Sequence, residues 1–265
     1  MSEGTAPLLE VRGVSIHFGG VEALKAVDLE VRAGEVVALA GDNGAGKSTL
    51  IKIVSGVYVP GAGEVRFRGE RTPAGDPQAV RARGIETIYQ DLALADNLDV
   101  GSNIFLGREP MRRVLGLPVV DRARMTAVAR EVLERLDIHV PPNKLNVPVR
   151  LLSGGQRQAI AIGRALWWDA KLLIMDEPTA ALGVPEQRKV MDLIRGLRAQ
   201  GVAIILVSHN LNDIFAVADR IVVLRRGERA GERRVAETDG DEIVRLMVGD
   251  TYAGTRQAGG VRSKT

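Results

Sequence analysis

The chain has 265 residues, of which 45% are hydrophobic and 26% charged; these proportions are typical of a globular protein and exclude long disorder. It has no cysteine, which excludes disulfides and thiolate metal sites, and its net charge of +3 is too nearly balanced to indicate nucleic-acid binding. No apolar run approaches the ~18 residues that span a bilayer, and residues 1–9 lack the pattern of a secretory signal. We therefore expect a cytoplasmic protein.

The first third of the chain alternates short apolar runs with glycine turns, which predicts a β-rich region. The strands predicted there are 8–16, 27–31, 36–40 and 64–68. One helix is predicted over 47–56, because Leu50, Ile53 and Val54 share a face and Gly56 ends the pattern.

The middle of the chain changes to helical patterns, which predicts a helical subdomain over 91–165 inserted into an α/β core. Asp121 is a suitable N-cap for an apolar stripe that continues to Asp137, and Ser153 is suited to begin the next helix. The segment 107–120, rich in glycine, proline and arginine, predicts an irregular insertion before these helices.

The last third returns to alternating strands and helices, which predicts a mainly parallel sheet covered on both faces. Strands are predicted over 171–175, 202–207 and 221–224, and helices over 185–200 and after the capping box at 239–242. Beyond Gly249 the sequence is polar and rich in glycine, so we expect this tail to fray.

A phosphate-binding pattern, G-x-x-x-x-G-K-[ST], lies between a predicted strand and a predicted helix. Its glycines let backbone N–H groups point at phosphate oxygens, while Lys47 can reach the β- and γ-phosphates and Ser48 can offer its hydroxyl to Mg²⁺. The alternative is a glycine turn before a helix, which the flanking strand and helix disfavour. The predicted nucleotide site comprises Gly41, Asp42, Asn43, Gly44, Ala45, Gly46, Lys47, Ser48 and Thr49.

Two carboxylates, Asp176 and Glu177, follow the apolar strand 171–175. Ligands of α/β sheets bind at the carboxyl ends of strands, so both acids should face the phosphate loop. Asp176 is then predicted to hold Mg²⁺, and Glu177 to orient or deprotonate a water that attacks the γ-phosphate. A solvated turn is the alternative interpretation of the Asp-Glu-Pro segment.

Residues 152–156 read Leu-Ser-Gly-Gly-Gln and lie between these two motifs, as in ATP-binding cassette (ABC) ATPases. The chain resembles this family from about Leu8 to Gly249. The resemblance implies an α/β P-loop NTPase of ABC type, with a mainly parallel sheet core, an N-terminal antiparallel β subdomain and an inserted helical subdomain. It also implies a division into a first part of the core with the β subdomain (1–90), the helical signature subdomain (91–165), a second part of the core (166–249) and a flexible tail (250–265).

Further residue roles follow from the resemblance. The signature residues Ser153, Gly154, Gly155 and Gln156 imply contact with the γ-phosphate bound by an opposite subunit, hence a head-to-tail homodimer that sandwiches two nucleotides. Phe18 matches the aromatic residue that stacks on adenine. Gln90 matches the glutamine that touches Mg²⁺ and the attacking water, and His209 matches the histidine that contacts the γ-phosphate. Taken alone, these three residues would equally fit a strand-end aromatic, a polar loop residue and a structural histidine.

One position departs from the family pattern. After Pro178-Thr179 the family has Ala-Leu-Asp, whereas this chain has Ala181-Leu182-Gly183. The missing carboxylate normally helps to join the two sites of the dimer, so we expect weaker coupling between them. Hydrolysis itself should be retained, because the substitution leaves the residues predicted to perform it unchanged.

The segment 90–109 is similar to the region by which sugar-importer ATPases grip their permease, with Ile104, Phe105 and Leu106 as the apolar docking surface. Ordinary subdomain core is the alternative for these three. The runs at 41–43 and 178–184 resemble the monosaccharide importer branch (ribose, xylose and fructose types) in its single-cassette form. This implies an ATP-hydrolysing, energy-coupling subunit that uses Mg²⁺ and lies on the cytoplasmic face of the membrane. Its implied partners are a second copy of itself, membrane permease subunits and, indirectly, an extracytoplasmic sugar-binding protein, with no nucleic acid.

Three alternatives remain at this stage. A cassette ATPase acting on nucleic acid or ribosomes usually carries a coiled-coil insertion or two cassettes, and neither pattern is present. An exporter usually has a fused membrane domain or a different middle segment. An importer subunit for a substrate other than a sugar is the third, since substrate choice belongs to the permease and binding protein.

Overall fold

The structure is a computed structural model that describes residues 6–135, 140–141, 144–180 and 182–249. Its strands are β1 (Leu9–Phe18), β2 (Val21–Val31), β3 (Val36–Ala40), β4 (Ala62–Phe67), β5 (Glu70–Arg71), β6 (Ile85–Ile88), β7 (Met111–Val114), β8 (Leu117–Val120), β9 (Leu172–Asp176), β10 (Ala203–Val207), β11 (Arg220–Arg225) and β12 (Glu228–Arg234). Its α-helices are α1 (Lys47–Val54), α2 (Pro77–Ala82), α3 (Val100–Ile104), α4 (Arg122–Arg135), α5 (Gly154–Trp167), α6 (Val184–Ala199), α7 (Leu211–Val217) and α8 (Gly240–Val248). Within these ranges, every helix is too short or too polar to cross a bilayer.

The central sheet has the strand order β12-β11-β3-β10-β9-β6, and only the edge strand β12 runs antiparallel to its neighbour. All residues of β3 and β10 are buried, as expected for parallel strands covered on both faces. Their side chains alternate between two apolar cores: Val37 and Leu39 face one, while Val36 and Ala38 face the other.

The first core lies between the central sheet, α1 and an antiparallel sheet of order β2-β1-β4-β5. The second core joins the other face of the central sheet to α3, α4, α5 and α6. This arrangement confirms the predicted fold class, an α/β core with an N-terminal antiparallel subdomain and an inserted set of helices. It positions the ends of β3, β9 and β10 between the two cores, where the predicted nucleotide site lies.

Local capping explains where the inserted helices begin. The Asp121 carboxylate accepts the backbone N–H of Arg124 at 3.0 Å, so α4 begins as predicted. The predicted end of this helix, at 136–137, lies outside the described residues, as does the tail 250–265. At the start of α5, the Ser153 hydroxyl accepts the N–H of Gln156 and the Gln156 side chain accepts the N–H of Ser153, which is a complete capping box.

The expected irregular insertion at 107–120 is wrong, because this segment contains the hairpin β7–β8. Its two-residue turn, Leu115-Gly116, has φ values of 51° and 83°. Positive φ at both turn residues is the type I′ geometry that matches the twist of a two-residue hairpin. The strands were missed because neither alternates between buried and exposed residues, so the sequence has no period of two there.

Candidate nucleotide site

The phosphate loop connects β3 to α1, as predicted. Two of its glycines are required by close backbone approach. A Cβ on Gly41 would lie 2.4 Å from the Leu224 carbonyl oxygen, and a Cβ on Gly46 would lie 2.9 Å from the Ala23 carbonyl oxygen. Gly46 also has a φ of 105°, which L side chains rarely adopt. The loop is therefore wedged between β2 and the end of β11, and α1 begins directly after it.

Lys47 folds back over this loop. Its Nζ donates to the carbonyl oxygens of Gly41 at 2.7 Å and Asp42 at 3.0 Å. Partial burial lowers the pKa of the Lys47 ammonium, although Glu177 and Asp176 act in the opposite direction. Within the described part of the chain no carboxylate forms an ion pair with Lys47, and a bound triphosphate would supply the opposite charge.

A cleft of about 430 Å³ opens beside the loop. Its floor is the loop and the first residues of α1, and its walls are the start of β2 and the turn between β11 and β12. Phe18 pairs with the cleft residue Val21 across the β1–β2 turn, is 45% exposed, and contacts the Tyr58 ring edge-on at 5.2 Å. Phe18 is therefore exposed next to the cleft wall, where an adenine could stack.

Arg226, in the β11–β12 turn, also lines the cleft, and sequence reasoning missed it. The turn is held against the phosphate loop because the Gly227 N–H donates to the Ala45 carbonyl at 3.1 Å. No local signal marks Arg226, since it comes to the loop only through the pairing of β11 with β3.

The two carboxylates lie at the carboxyl end of β9, with β10 beside them. Asp176 is half-buried, and its pKa is raised by burial and by the neighbouring Glu177, while Lys47 acts in the opposite direction. Glu177 has a φ of 50°, a left-handed conformation that is strained for a side chain with a Cβ. Its N–H donates to the Val207 carbonyl at 2.8 Å, which holds it in this conformation.

Glu177 and His209 form a pair at this edge. Glu177 Oε2 lies 2.8 Å from His209 Nδ1, and the two differ sharply in exposure, 16% for the glutamate side chain and 71% for the histidine. Glu177 Oε2 is itself buried, and it receives no hydrogen bond from the described residues. A buried carboxylate oxygen without a donor can accept a proton or a hydrogen bond from water.

A buried hydrogen bond joins the loops that carry this pair. The Thr179 hydroxyl donates to Asp213 Oδ2 at 2.5 Å, and both residues are less than 10% exposed. Thr179 follows β9, whereas Asp213 lies in the first turn of α7, just after His209. Sequence reasoning missed Asp213, because its position indicates only an acid in the first turn of a helix.

Gln90 lies near the two carboxylates, whereas the signature residues lie outside the phosphate-loop cleft. Gln90 is exposed two residues beyond Ile88, whose partner in β9 is Met175, so it lies at the same sheet edge as the carboxylates. Among the described residues, none from the signature lines the phosphate-loop cleft. Instead the signature glycines lie against α6 and the residue before its N-cap: a Cβ on Gly155 would lie 3.0 Å from Glu186, and one on Gly154 would lie 2.9 Å from Leu182.

The remaining predictions concern Gly183 and the apolar docking surface. Gly183 is the N-cap of α6 and forms no side-chain cap, and the adjacent Ala181 lies outside the described residues. The docking surface is wrong for two of its three residues, since Ile104 and Phe105 are 0% and 4% exposed. Both lie in the core around α3, where apolar periodicity cannot distinguish core from surface, and only Leu106 is exposed.

Comparison with known proteins gives the family. The ABC transporter model matches residues 24–180, more than half of the chain. The xylose/arabinose import ATP-binding protein of Sulfolobus acidocaldarius is 46% identical over 91% of this chain and 93% of its own length. The fructose import ATP-binding protein of Rhizobium meliloti is 45% identical over 84% and 86%. A ribose import ATP-binding protein of Rhizobium meliloti is 41% identical over 93% of this chain, which spans 47% of it.

Solved structures agree with these matches. The ADP conformation of MJ1267, an ATP-binding cassette of an ABC transporter, superposes with a TM-score of 0.79 at 25% identity, covering 93% of this chain and 100% of that one. The dimeric structure of MJ0796, a bacterial ABC transporter cassette, gives 0.70 at 26% identity, covering 86% and 98%. Sequence and fold together show that the chain belongs to the ABC transporter family, as one of its ATP-binding and ATP-hydrolysing cassettes.

Proposed function

We propose that this chain hydrolyses Mg-ATP with Glu177 as the general base. The observation that carries this assignment is the strained Glu177 at the end of β9, whose buried Oε2 has no hydrogen-bond donor among the described residues. Phosphoryl transfer needs such a group to orient the attacking water. Lys47 supplies positive charge at the β- and γ-phosphates, and the N–H groups of the phosphate loop surround them.

The oxygen donors near the loop fit a magnesium ion. Mg²⁺ prefers hard oxygen ligands and keeps several waters, so a hydroxyl, a carboxylate and an amide suffice beside the phosphates. The raised pKa of Asp176 fits too, because a cation at this place would favour the ionised form. Ser48, Asp176 and Gln90 would hold the ion, which supplies charge neutralisation between the β- and γ-phosphates.

The hydrolytic step follows from these positions. The water oxygen attacks the γ-phosphorus, the bond to the β,γ-bridging oxygen breaks, and the water proton passes to Glu177 Oε2, giving ADP and phosphate. His209 Nδ1 lies 2.8 Å from that oxygen, at a position from which the ring can also contact the γ-phosphate. Glu177 is thus the proposed base, and His209 is the proposed contact to the γ-phosphate.

Replacing Glu177 with glutamine tests this assignment. E177Q should bind ATP with wild-type affinity by calorimetry, because the loop and Lys47 are unchanged, while turnover falls by about 10²–10⁴-fold. E70Q is the matched control, since Glu70 is exposed and lies outside the cleft. Normal phosphate release by E177Q would rule out Glu177 as the base.

We also propose that two copies sandwich two ATP molecules head to tail. The support is that the signature residues do not line their own cleft, so a second copy would be needed to bring Ser153 and Gly155 to the γ-phosphate. Slow turnover in E177Q should then accumulate the ATP-bound dimer, which sedimentation would detect. A monomeric E177Q at saturating ATP would contradict the sandwich.

We further propose that this ATPase drives monosaccharide import through a separate permease at the cytoplasmic face of the membrane, with sugar delivered by an extracytoplasmic binding protein. The support is the match to relatives named for xylose/arabinose, fructose and ribose import. Deleting the gene should abolish uptake of one of these sugars, and the wild-type chain, but not E177Q, should restore it. Unchanged uptake of fructose, ribose, xylose and arabinose would contradict the importer assignment while leaving the ATPase assignment intact.

A further inference from the structure

The hairpin β7–β8 stands away from the body of the protein. All eight strand residues are exposed, so neither face of the hairpin is covered by the described part of the chain. Its exposed apolar residues include Leu115, 100% exposed at the turn, Leu117 at 68% and Met111 at 56%. A lone two-stranded hairpin is marginally stable in water, and such a concentration of exposed apolar side chains usually marks an interaction surface.

Around the hairpin, arginine side chains are without partners among the described residues, whereas the nearby carboxylates have them. The side chains of Arg112 and Arg113, within β7, and of Arg122 and Arg124, just after β8, are exposed and form no hydrogen bond or ion pair with the described residues. The nearby carboxylates already have local partners. Glu109 accepts the N–H of Gly107 at 3.1 Å, and Asp121 accepts that of Arg124 at 3.0 Å.

The base of the hairpin is anchored, so the hairpin side chains project from a fixed position. The Asp121 N–H donates to the Pro110 carbonyl at 2.7 Å, which closes the hairpin. Arg108 lies over the Trp168 ring at 4.1 Å from its centroid, which ties the preceding residues to the end of α5. The hairpin therefore projects from a fixed base with a wholly exposed turn.

Exposed apolar side chains among free arginines suit an anionic lipid surface. Apolar groups enter the boundary between headgroups and acyl chains, while cations contact the acidic headgroups. A permease surface is a poorer complement, because the cytoplasmic loops of membrane proteins carry an excess of lysine and arginine that would repel these side chains.

We propose that the β7–β8 hairpin binds the headgroup layer of an anionic bilayer and so gives this chain its own contact with the membrane. The proposal depends neither on the nature of the transported substrate nor on the hydrolytic residues. It adds a second attachment beside any permease contact at Leu106, nine residues before the turn.

Co-flotation of the full chain with lipid vesicles tests the proposal. Vesicles of equal parts phosphatidylcholine and phosphatidylglycerol should bind the wild-type chain, vesicles of phosphatidylcholine alone should bind it weakly, and added salt should weaken binding. Replacing both Arg112 and Arg113 with glutamine should reduce partitioning roughly 30-fold, since each arginine near an anionic surface contributes about five-fold. The double variant L115N/L117N, which adds no charge, tests the apolar contribution and should also lose binding.

A matched control removes the same amount of positive charge from another part of the protein. Arg32 and Arg234 are exposed, and their side chains form no hydrogen bond or ion pair with the described residues. The variant R32Q/R234Q therefore removes two equivalent surface charges that lie outside the hairpin. This control should bind anionic vesicles within about two-fold of the wild type, because its charges lie away from the hairpin. All the variants should keep basal ATPase activity.

Three results would overturn the proposal. The first is failure of the wild-type chain to float with anionic vesicles. The second is equal loss of binding in the hairpin variants and in R32Q/R234Q, which would show a general charge effect. The third is normal vesicle binding by the hairpin variants; if these variants also fail to assemble with the permease, the hairpin contacts protein and not lipid.

Discussion

The hydrogen bond between Thr179 and Asp213 should control both stability and turnover. T179V keeps the side-chain shape but leaves the buried Asp213 carboxylate without its hydroxyl donor at 2.5 Å. A hydrogen bond to a charged group contributes about 1.5–3 kcal/mol. For a chain of this size, each kcal/mol corresponds to about 2–4 °C in melting temperature, so T179V should melt roughly 3–12 °C lower.

The same substitution should lower kcat more than it changes ATP affinity. The bond joins the segment just after Glu177 to the first turn of α7, just after His209, and neither of its residues lines the phosphate-loop cleft. The test is a melting curve with phosphate-release kinetics and calorimetry. T179S keeps the donor and should resemble the wild type, and T126V removes an exposed threonine hydroxyl bond as a control. Equal melting temperature and kcat for T179V and wild type would refute the role of this hydrogen bond in stability and turnover.

Three further predictions concern other sites. K47A should abolish ATP binding, because it removes the cation that folds over the loop; near wild-type affinity in calorimetry would contradict this. G183D should raise the Hill coefficient or the ATP-induced dimer fraction. The effect should be larger in combination with E186Q, because a Cβ at Gly183 would lie 2.9 Å from a Glu186 oxygen, whose charge would repel the new carboxylate. No change in kinetics or sedimentation would show that Gly183 does not affect coupling. Burial raises the pKa of Glu86 from 4.5 to about 7 against the opposing charge of Arg81, so the folded state holds an extra proton between these values and stability should fall as pH rises through them. E86Q should flatten that pH dependence in melting curves, and an unchanged slope would contradict it.

Much of the nucleotide site could be predicted because it depends on local chain geometry. The phosphate loop needs glycines at fixed spacing between a strand and a helix, and the structure has this order around Lys47. Asp176 and Glu177 were placed correctly at the sheet edge, because an apolar strand in an α/β fold ends at the ligand side. The capping box at Ser153 is likewise determined within four residues.

The features that were missed depend on contacts distant in sequence or on the direction a side chain faces. Arg226 reaches the cleft only because β11 pairs with β3. Asp213 accepts a hydrogen bond from the Thr179 hydroxyl, which is 34 residues away in the sequence. Phe105 was assigned to the surface because an apolar residue in a short helix has the same pattern whether it faces the core or a partner. In the structure it contacts the Trp167 ring edge-on at 5.5 Å.

At the start of α5, a single chain caps its own helix and still has a donor for the site that a second copy is proposed to complete. A helix end left uncapped until a dimer forms would leave several backbone donors without partners. Here the Ser153 oxygen accepts the Gln156 N–H, while the Gln156 side chain accepts the Ser153 N–H, so the helix is capped within one chain. Because a hydroxyl can accept and donate at once, the Ser153 proton is still able to point at an incoming γ-phosphate. The same residue therefore stabilises the helix in the single chain and can contribute a donor to the proposed shared site without breaking its cap.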